Sequence, residues 1–291
     1  MYLNSRPPHP SDGPVHSPAR HGWQAELRLG FERRAGRTRL VRRDHRGPLL
    51  VQRPFHPEPG GHCHCYLLHP PGGVVGGDEL TVEATGAPEA GAVFTTPAAA
   101  KFYRRAGAPA LQRQSLRVAD GALLEWLPQE TLLYAGARLQ ARTRIELAAE
   151  ACFIGWELYC LGRPAAGERF TSGSADLHLE LWRETTPLLV ERHRIEAEGA
   201  IRTARWGLAG QPVFATLVCS PHPGAEVLDA LRRRLHADGP AASVTTLDGV
   251  LLCRYLGPSI ATARGLFGAA WNLLRPALAG RPACPPRVWS T

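Results

Sequence analysis

Short runs in which apolar and polar residues alternate recur through most of the chain, with glycine and proline between them. Residues 23–31, 38–44 and 49–55 have this pattern, separated by Gly36, Gly47, Pro48 and the cluster 57–61. It returns at 79–85, 92–95, 112–118, 122–127, 137–147, 152–161, 175–182 and 188–195. Successive side chains on a strand point to opposite faces, so these runs read as strands and the Gly and Pro residues as turns. No strand–helix–strand alternation interrupts the series, which argues against a doubly wound sheet. The expectation is a mainly β chain forming one large multi-stranded all-β domain, either a β-sandwich or a β-helix-like body. The run 153–159 carries apolar or aromatic groups on both faces, and a strand of that kind is expected to be buried on both sides.

Two stretches toward the C-terminus have helical spacing instead. Ala225–His236 puts Val227, Leu228, Leu231 and Leu235 on one stripe, and Arg232, Arg233 and Arg234 suit the negative end of the helix dipole. Residues 259–275 align Ile260, Ala263, Phe267, Ala270, Trp271 and Leu274, and Pro276 disfavours helix at the residue before it. Between the helices, 244–256 reads as a hairpin about Asp248-Gly249. Residues 1–20 are rich in Pro, Ser and His and are expected to form a disordered tail. Residues 280–291, rich in Pro and Arg, read as an extended C-terminal tail, leaving 21–279 as the folded domain.

The formal net charge is +8. Basic chains invite nucleic acid as a partner, but Lys101 is the only lysine. The arginines are spread over strand-like runs, such as Arg39, Arg42 and Arg43, and not along one stripe with stacking aromatics. That usage fits the codon bias of a GC-rich genome, so no nucleic-acid partner is expected. No apolar run approaches the roughly 20 residues of a membrane-spanning helix, and the first residues lack the apolar core of a secretory signal. A cytoplasmic protein without membrane attachment is the expectation. The seven cysteines, an odd number, fit a reducing compartment better than a disulfide framework.

The stretch 61–78, GHCHCYLLHPPGGVVGGD, is the richest in chemistry. Imidazole and thiolate suit nickel, zinc or copper, so His62, Cys63, His64, Cys65 and His69 form a candidate metal set. On one strand, however, His62 and His64 share one face while Cys63 and Cys65 share the other. The bland alternative is that the cysteines pack as small apolar residues. Glu125 and Glu157 lie inside apolar strand segments, where a carboxylate must be paired, protonated or lining a wet passage. A salt bridge to an arginine such as Arg138 or Arg163 is the competing reading. Asp78 follows two glycines and could equally cap a turn. Enzyme motifs are lacking: there is no GxSxG elbow, no phosphate loop with its lysine and no HExxH pattern. A hydrolase would need Glu125 and Glu157 to face one cleft.

Several long strings resemble the urease accessory protein UreD, or UreH, family: GPLLVQRPFHPE from Gly47, YLLHPPGGVVGGDEL from Tyr66, TTPAAAKFYR from Thr95, GALLEWLPQETLLYAGA from Gly121, FIGWELYCLGRPAAGE from Phe153 and PLLVER from Pro187. The resemblance spans roughly residues 20 to 275. It implies a mostly β fold with a few helices, no catalytic turnover, and a role in maturing urease. Members of the family join UreF and the GTPase UreG on the urease apoprotein and help insert nickel, with a water-filled passage proposed as the metal's route. Asp78, Glu125 and Glu157 match acidic positions of the family strings and are candidate passage-lining groups. No tightly bound cofactor is implied, only transient Ni²⁺. His64 and His69 fit the family pattern; Cys65 replaces an aliphatic residue. The alternative function is a stand-alone nickel- or zinc-binding protein using His62–Cys65.

Overall fold

The computed structural model describes residues 22–236 and 241–290; the stretch 1–20 lies outside them. The chain opens with an antiparallel hairpin of β1 (Gln24–Arg34) and β2 (Arg37–Arg46). β3 (Leu50–Val51) then pairs antiparallel with β4 (Cys63–Leu68), and β5 (Val74–Val75) follows. From there the chain repeats one path three times. The first circuit is β6 (Glu79–Gly86), β7 (Gly91–Thr95) and β8 (Ala100–Tyr103). The second is β9 (Ala110–Val118), β10 (Leu123–Trp126) and β11 (Thr131–Leu133). In the third, β12 (Arg138–Leu147) leads into the long β13 (Cys152–Arg163), whose first half pairs in parallel with β10 and second half with β11, and β14 (Glu168–Arg169) folds back antiparallel on its end.

Equivalent strands of successive circuits pair in parallel: β6 with β9, β9 with β12, β7 with β10, β10 with β13, and β8 with β11. Parallel neighbours need a long connection between them. In an α/β protein a helix supplies it, whereas here the other faces of the circuit do. The body is therefore mainly β and β-helix-like. β15 (Ser174–Arg183) continues the parallel stack on β12, and β16 (Thr186–Glu196) closes it antiparallel. β17 (Val213–Ser220), β18 (Ala242–Leu247) and β19 (Val250–Gly257) extend the second sheet antiparallel from β13. β17 is a central strand that the alternation rule misses, because PVFATLVC is apolar on both faces.

The result is two sheets, ordered β16-β15-β12-β9-β6-β1-β2 and β18-β19-β17-β13-β10-β7-β4-β3. Leu27, Phe31, Phe94, Leu116, Leu124, Ile145 and Phe153 fill the space between them. The second sheet is covered again on its other face by α1 (Ala225–His236) and α2 (Ile260–Ala279), over Val93, Ile154, Trp156 and Leu217. That double burial is why 153–159 is apolar on both sides.

α2 begins at Ser259, whose side chain accepts a hydrogen bond from Thr262 N, and stops at Gly280 in the left-handed region. Contrary to the sequence expectation, it runs through Pro276 for a further turn. Proline costs one backbone bond there, while the neighbouring Arg275 is fully buried and bonded on several sides. Beyond α2, in the stretch read as a tail, Trp289 packs against Trp156 and Trp271 and donates to Thr95 Oγ1 at 2.8 Å. Among the described residues no helix is long and apolar enough to cross a membrane.

Candidate functional site

Strand parity decides what each buried acid meets. On β13 the odd positions Phe153, Tyr159 and Leu161 join the core between the sheets, and the even positions Ile154, Trp156, Leu158 and Cys160 join the core under the helices. Glu157 therefore points between the sheets. Across from it, Leu27, Val82, Gln114, Thr143, Leu179 and Glu191 lie in register on the first sheet. This row begins apolar and becomes polar in the middle, opposite Glu157.

Thr143 Oγ1 lies 2.5 Å from Glu157 Oε1 and 3.1 Å from Gln114 Oε1. A hydroxyl has one proton, and the shorter contact assigns it to the carboxylate. Tyr159 OH donates to the other oxygen at 3.1 Å. Burial pushes the Glu157 carboxyl above its ordinary range, and these two donors only partly offset it. The same burial, with Glu157 beside it, raises the Tyr159 phenol well above its usual value.

Glu157 is half-buried and lines a cavity of about 170 Å³. The cavity wall includes Gln112, Gln114, Tyr159, Gln129 and Lys101 among apolar residues, and the exposed Gly72, Pro97 and Ala98 stand at its rim with the half-buried His69. Glu157 and Tyr159 also line a second space of about 10 Å³, close to the room one water needs. Its other walls are Leu177, Leu179, Phe214, Thr216, Glu191 and His193. Glu157 and Tyr159 thus border both spaces.

Glu191 and His193 lie in the strand run 188–195, which by itself marks neither as a functional group. Leu189, Glu191, His193 and Ile195 share one face of β16, with Leu189 and Ile195 buried. An acid and a histidine between two inward leucine-type positions is the signal that would have found them. Burial opposes ionisation of Glu191, but His193 and Arg254 beside it hold its carboxyl below the usual range. Arg254 donates directly to Glu191 Oε1.

Glu125 belongs to a different place. It is in register with Val93 and Ile154 and faces α2. Trp271 Nε1 donates to it at 2.6 Å, and Arg275 Nε lies 3.0 and 3.1 Å from its two oxygens. Arg275 also grips Glu58, with Nη2 to Oε1 at 2.6 Å and Nη1 to Oε2 at 2.8 Å. Burial alone would raise the Glu58 carboxyl, yet the bonds from His64 and Arg275 hold it at about 2. Glu125, wholly enclosed, is pushed upward by burial despite its arginine. This cluster fastens α2 to the β body. Glu125 and Glu157 face opposite sides of the sheet and share no cleft of the kind a hydrolase would need.

Asp78 works as a turn clamp. Its Oδ2 accepts from Val75 N and its Oδ1 from Trp23 N, both at 2.8 Å. The preceding Gly77 has φ 88, a left-handed conformation that favours glycine. Asp78 does not line the cavity.

The His-Cys run divides as alternation requires. Cys63 and Cys65 point into the core between the sheets, their sulfurs 3.9 Å apart. A hydrogen bond from Cys65 lowers the Cys63 thiol, while Cys65 itself is pushed far up. His64 points the other way and bonds Glu58 through Nε2 at 2.8 Å. His62 packs on Gly91, and burial lowers it to about 4. Among the described residues no three His, Cys, Asp or Glu side chains converge as a metal set.

A family model described as UreD urease accessory protein matches residues 24–290. A urease accessory protein UreD of Alkalilimnicola ehrlichii is 50% identical over 286 residues, 98% of this chain and 96% of the relative. Its counterpart in Dechloromonas aromatica is 44% identical, covering 97% of this chain and 98% of the relative. That of Klebsiella aerogenes is 43% identical, covering 94% and 99%. With a match of this extent to both the family and its members, the chain belongs to the UreD urease accessory protein family.

Proposed function

We propose that this protein is a non-catalytic maturation factor for urease and that Ni²⁺ passes through its β body by way of Glu157. In this reading it works in the cytoplasm, joins UreF and the GTPase UreG on the urease apoprotein, and holds nickel only in transit, with no tightly bound cofactor. The observation that carries the proposal is the position of Glu157: one carboxylate bordering both the cavity and the smaller space behind it, flanked by the neutral oxygens of Thr143, Tyr159 and Gln114.

That donor set suits transport. Oxygen ligands hold a borderline cation such as Ni²⁺ loosely, whereas a closed thiolate site would retain it. The thiols of Cys63 and Cys65 are absent from both cavity walls. Burial favours the neutral acid at Glu157, and a nearby cation favours the carboxylate. The proton leaves as the cation arrives and returns as it departs, so no bare charge is left inside. Glu191, held ionised beside Arg254, is the next oxygen ligand along the row. Asp78 and Glu125 keep the walls in place and are not on the route.

Deleting only this gene tests the role. The expected result is urease at normal abundance that is inactive and poor in nickel. Active, fully loaded urease in the deletion strain would refute it.

A further inference from the structure

The segment 199–211, between β16 and β17, contains no acidic residue. It is folded tightly on its own backbone. Arg202 N donates to Gly199 O, Leu208 N to Ile201 O, Gly210 N to Arg202 O and Gln211 N to Leu208 O, all between 2.7 and 3.0 Å. Gly207 is so close to Ile201 O that a Cβ there would lie 2.2 Å from it. Ile201 and Leu208 anchor the segment to the core between the sheets. At its tip Trp206 is 77% exposed, more than any other large hydrophobic among the described residues.

A rigid loop has no apolar reason to hold its largest side chain in water. Exposed tryptophan on a preorganised support is the residue type that most often anchors protein–protein contacts. The loop's own charges, Arg202 and Arg205, are both positive, and the exposed Glu198 lies just before it. Arg202 Nε and Nη1 are shut off from water and meet no acceptor among the described residues. Burial, and the like charge of Arg169 nearby, weaken the hold of Arg202 on its proton. Arg169 and Arg205 are exposed, and the acid next to Arg169, Glu168, is already taken by Arg163. A half-buried guanidinium with two enclosed nitrogens lacking acceptors is costly and calls for a negative partner.

We propose that this loop is a docking point for an acidic segment of a protein partner. A carboxylate of that segment compensates the Arg202 and Arg169 charges while an apolar neighbour packs on Trp206. The site is separate from the Glu157 cavities, whose walls include no residue of this loop.

The test places the photoreactive residue p-benzoylphenylalanine at position 206 of the full-length protein in its own cells, with Leu247, also exposed, as the control position. Cross-linked peptides are sequenced. The expected result is a protein adduct at 206 and none at 247, joined through a peptide containing Asp or Glu, with a yield reduced about tenfold or more by Arg202→Met or Arg169→Glu. Arg202→Met alone should leave the melting temperature unchanged or raised, because it removes a half-buried charge whose Nε and Nη1 are enclosed without acceptors. An adduct to lipid or to a second copy, a peptide without acids, a yield indifferent to both arginine changes, or no adduct above the control would each overturn the proposal. So would a lower melting temperature in Arg202→Met, since Arg202 would then be a structural residue.

Discussion

Glu125 and Glu157 stand on opposite faces of one sheet. Glu125 pairs in register with Ile154 on the neighbouring strand, and Glu157 is an odd number of positions further along, which turns it to the other side. One acid becomes a fastening for α2 and the other lines the spaces between the sheets. The two roles separate experimentally.

Replacing Arg275 with Met should destabilise the protein by about 3–5 kcal/mol, because it leaves Glu58 and Glu125 enclosed without their cation. Glu125→Gln should cost less, roughly 1–2 kcal/mol, since the amide still accepts from Trp271. Urea denaturation read by tryptophan fluorescence checks both. A change below about 1 kcal/mol for Arg275→Met would mean that the cluster does not hold α2.

Glu157→Gln should act in the opposite direction. A carboxyl raised by folding favours the native state below its unfolded value of about 4.5 and opposes it once pH rises through the higher folded value. At pH 8 the variant should melt no lower than the parent protein, and the difference between them should shrink below pH 4.5. A clear loss of stability at pH 8 would mean that the ionised acid is a net stabilising group.

Much of this arrangement was legible in advance, and the boundary is physical. Alternation locates the strands, and the two apolar faces of 153–159 foretell a sheet covered on both sides. The same parity rule divides His62 and His64 from Cys63 and Cys65. Parallel stacking of circuits was not legible, because pairings such as Val82 with Gln114 and Gln114 with Thr143 join residues far apart in the chain. For that reason sandwich and β-helix stayed equal alternatives, and Thr143, Gln114 and Glu191 could not be set beside Glu157. Short strands such as β8 and β11 carry too few residues for a period to show.

Acid should release α2 through Glu58. Its folded carboxyl, near 2, lies below the ordinary 4.5, so it contributes stability above pH 4.5 that is lost as pH falls toward 2. Glu58→Gln should flatten stability across that window. Trp271 on α2 and Trp289, whose rings pack together, report the change by fluorescence. An unaltered pH profile in the variant would remove Glu58 as the cause.

Cys65→Val should be tolerated, at a cost below about 1.5 kcal/mol, because the thiol sits in apolar packing and the volumes are similar. Mass spectrometry under native, reducing conditions should find the same absence of stoichiometric nickel or zinc in parent and variant. Metal retained by the parent protein and lost in the variant would favour the metal-store reading.

The passage is tested most directly by the nickel content of urease purified from cells in which this protein carries Glu157→Gln, with urease abundance and the UreF complex checked alongside. The account predicts urease at normal abundance, an intact complex and nickel occupancy reduced several-fold, with partial recovery in Glu157→Asp. Full nickel occupancy with Glu157→Gln would contradict it and take the metal's route away from this carboxylate.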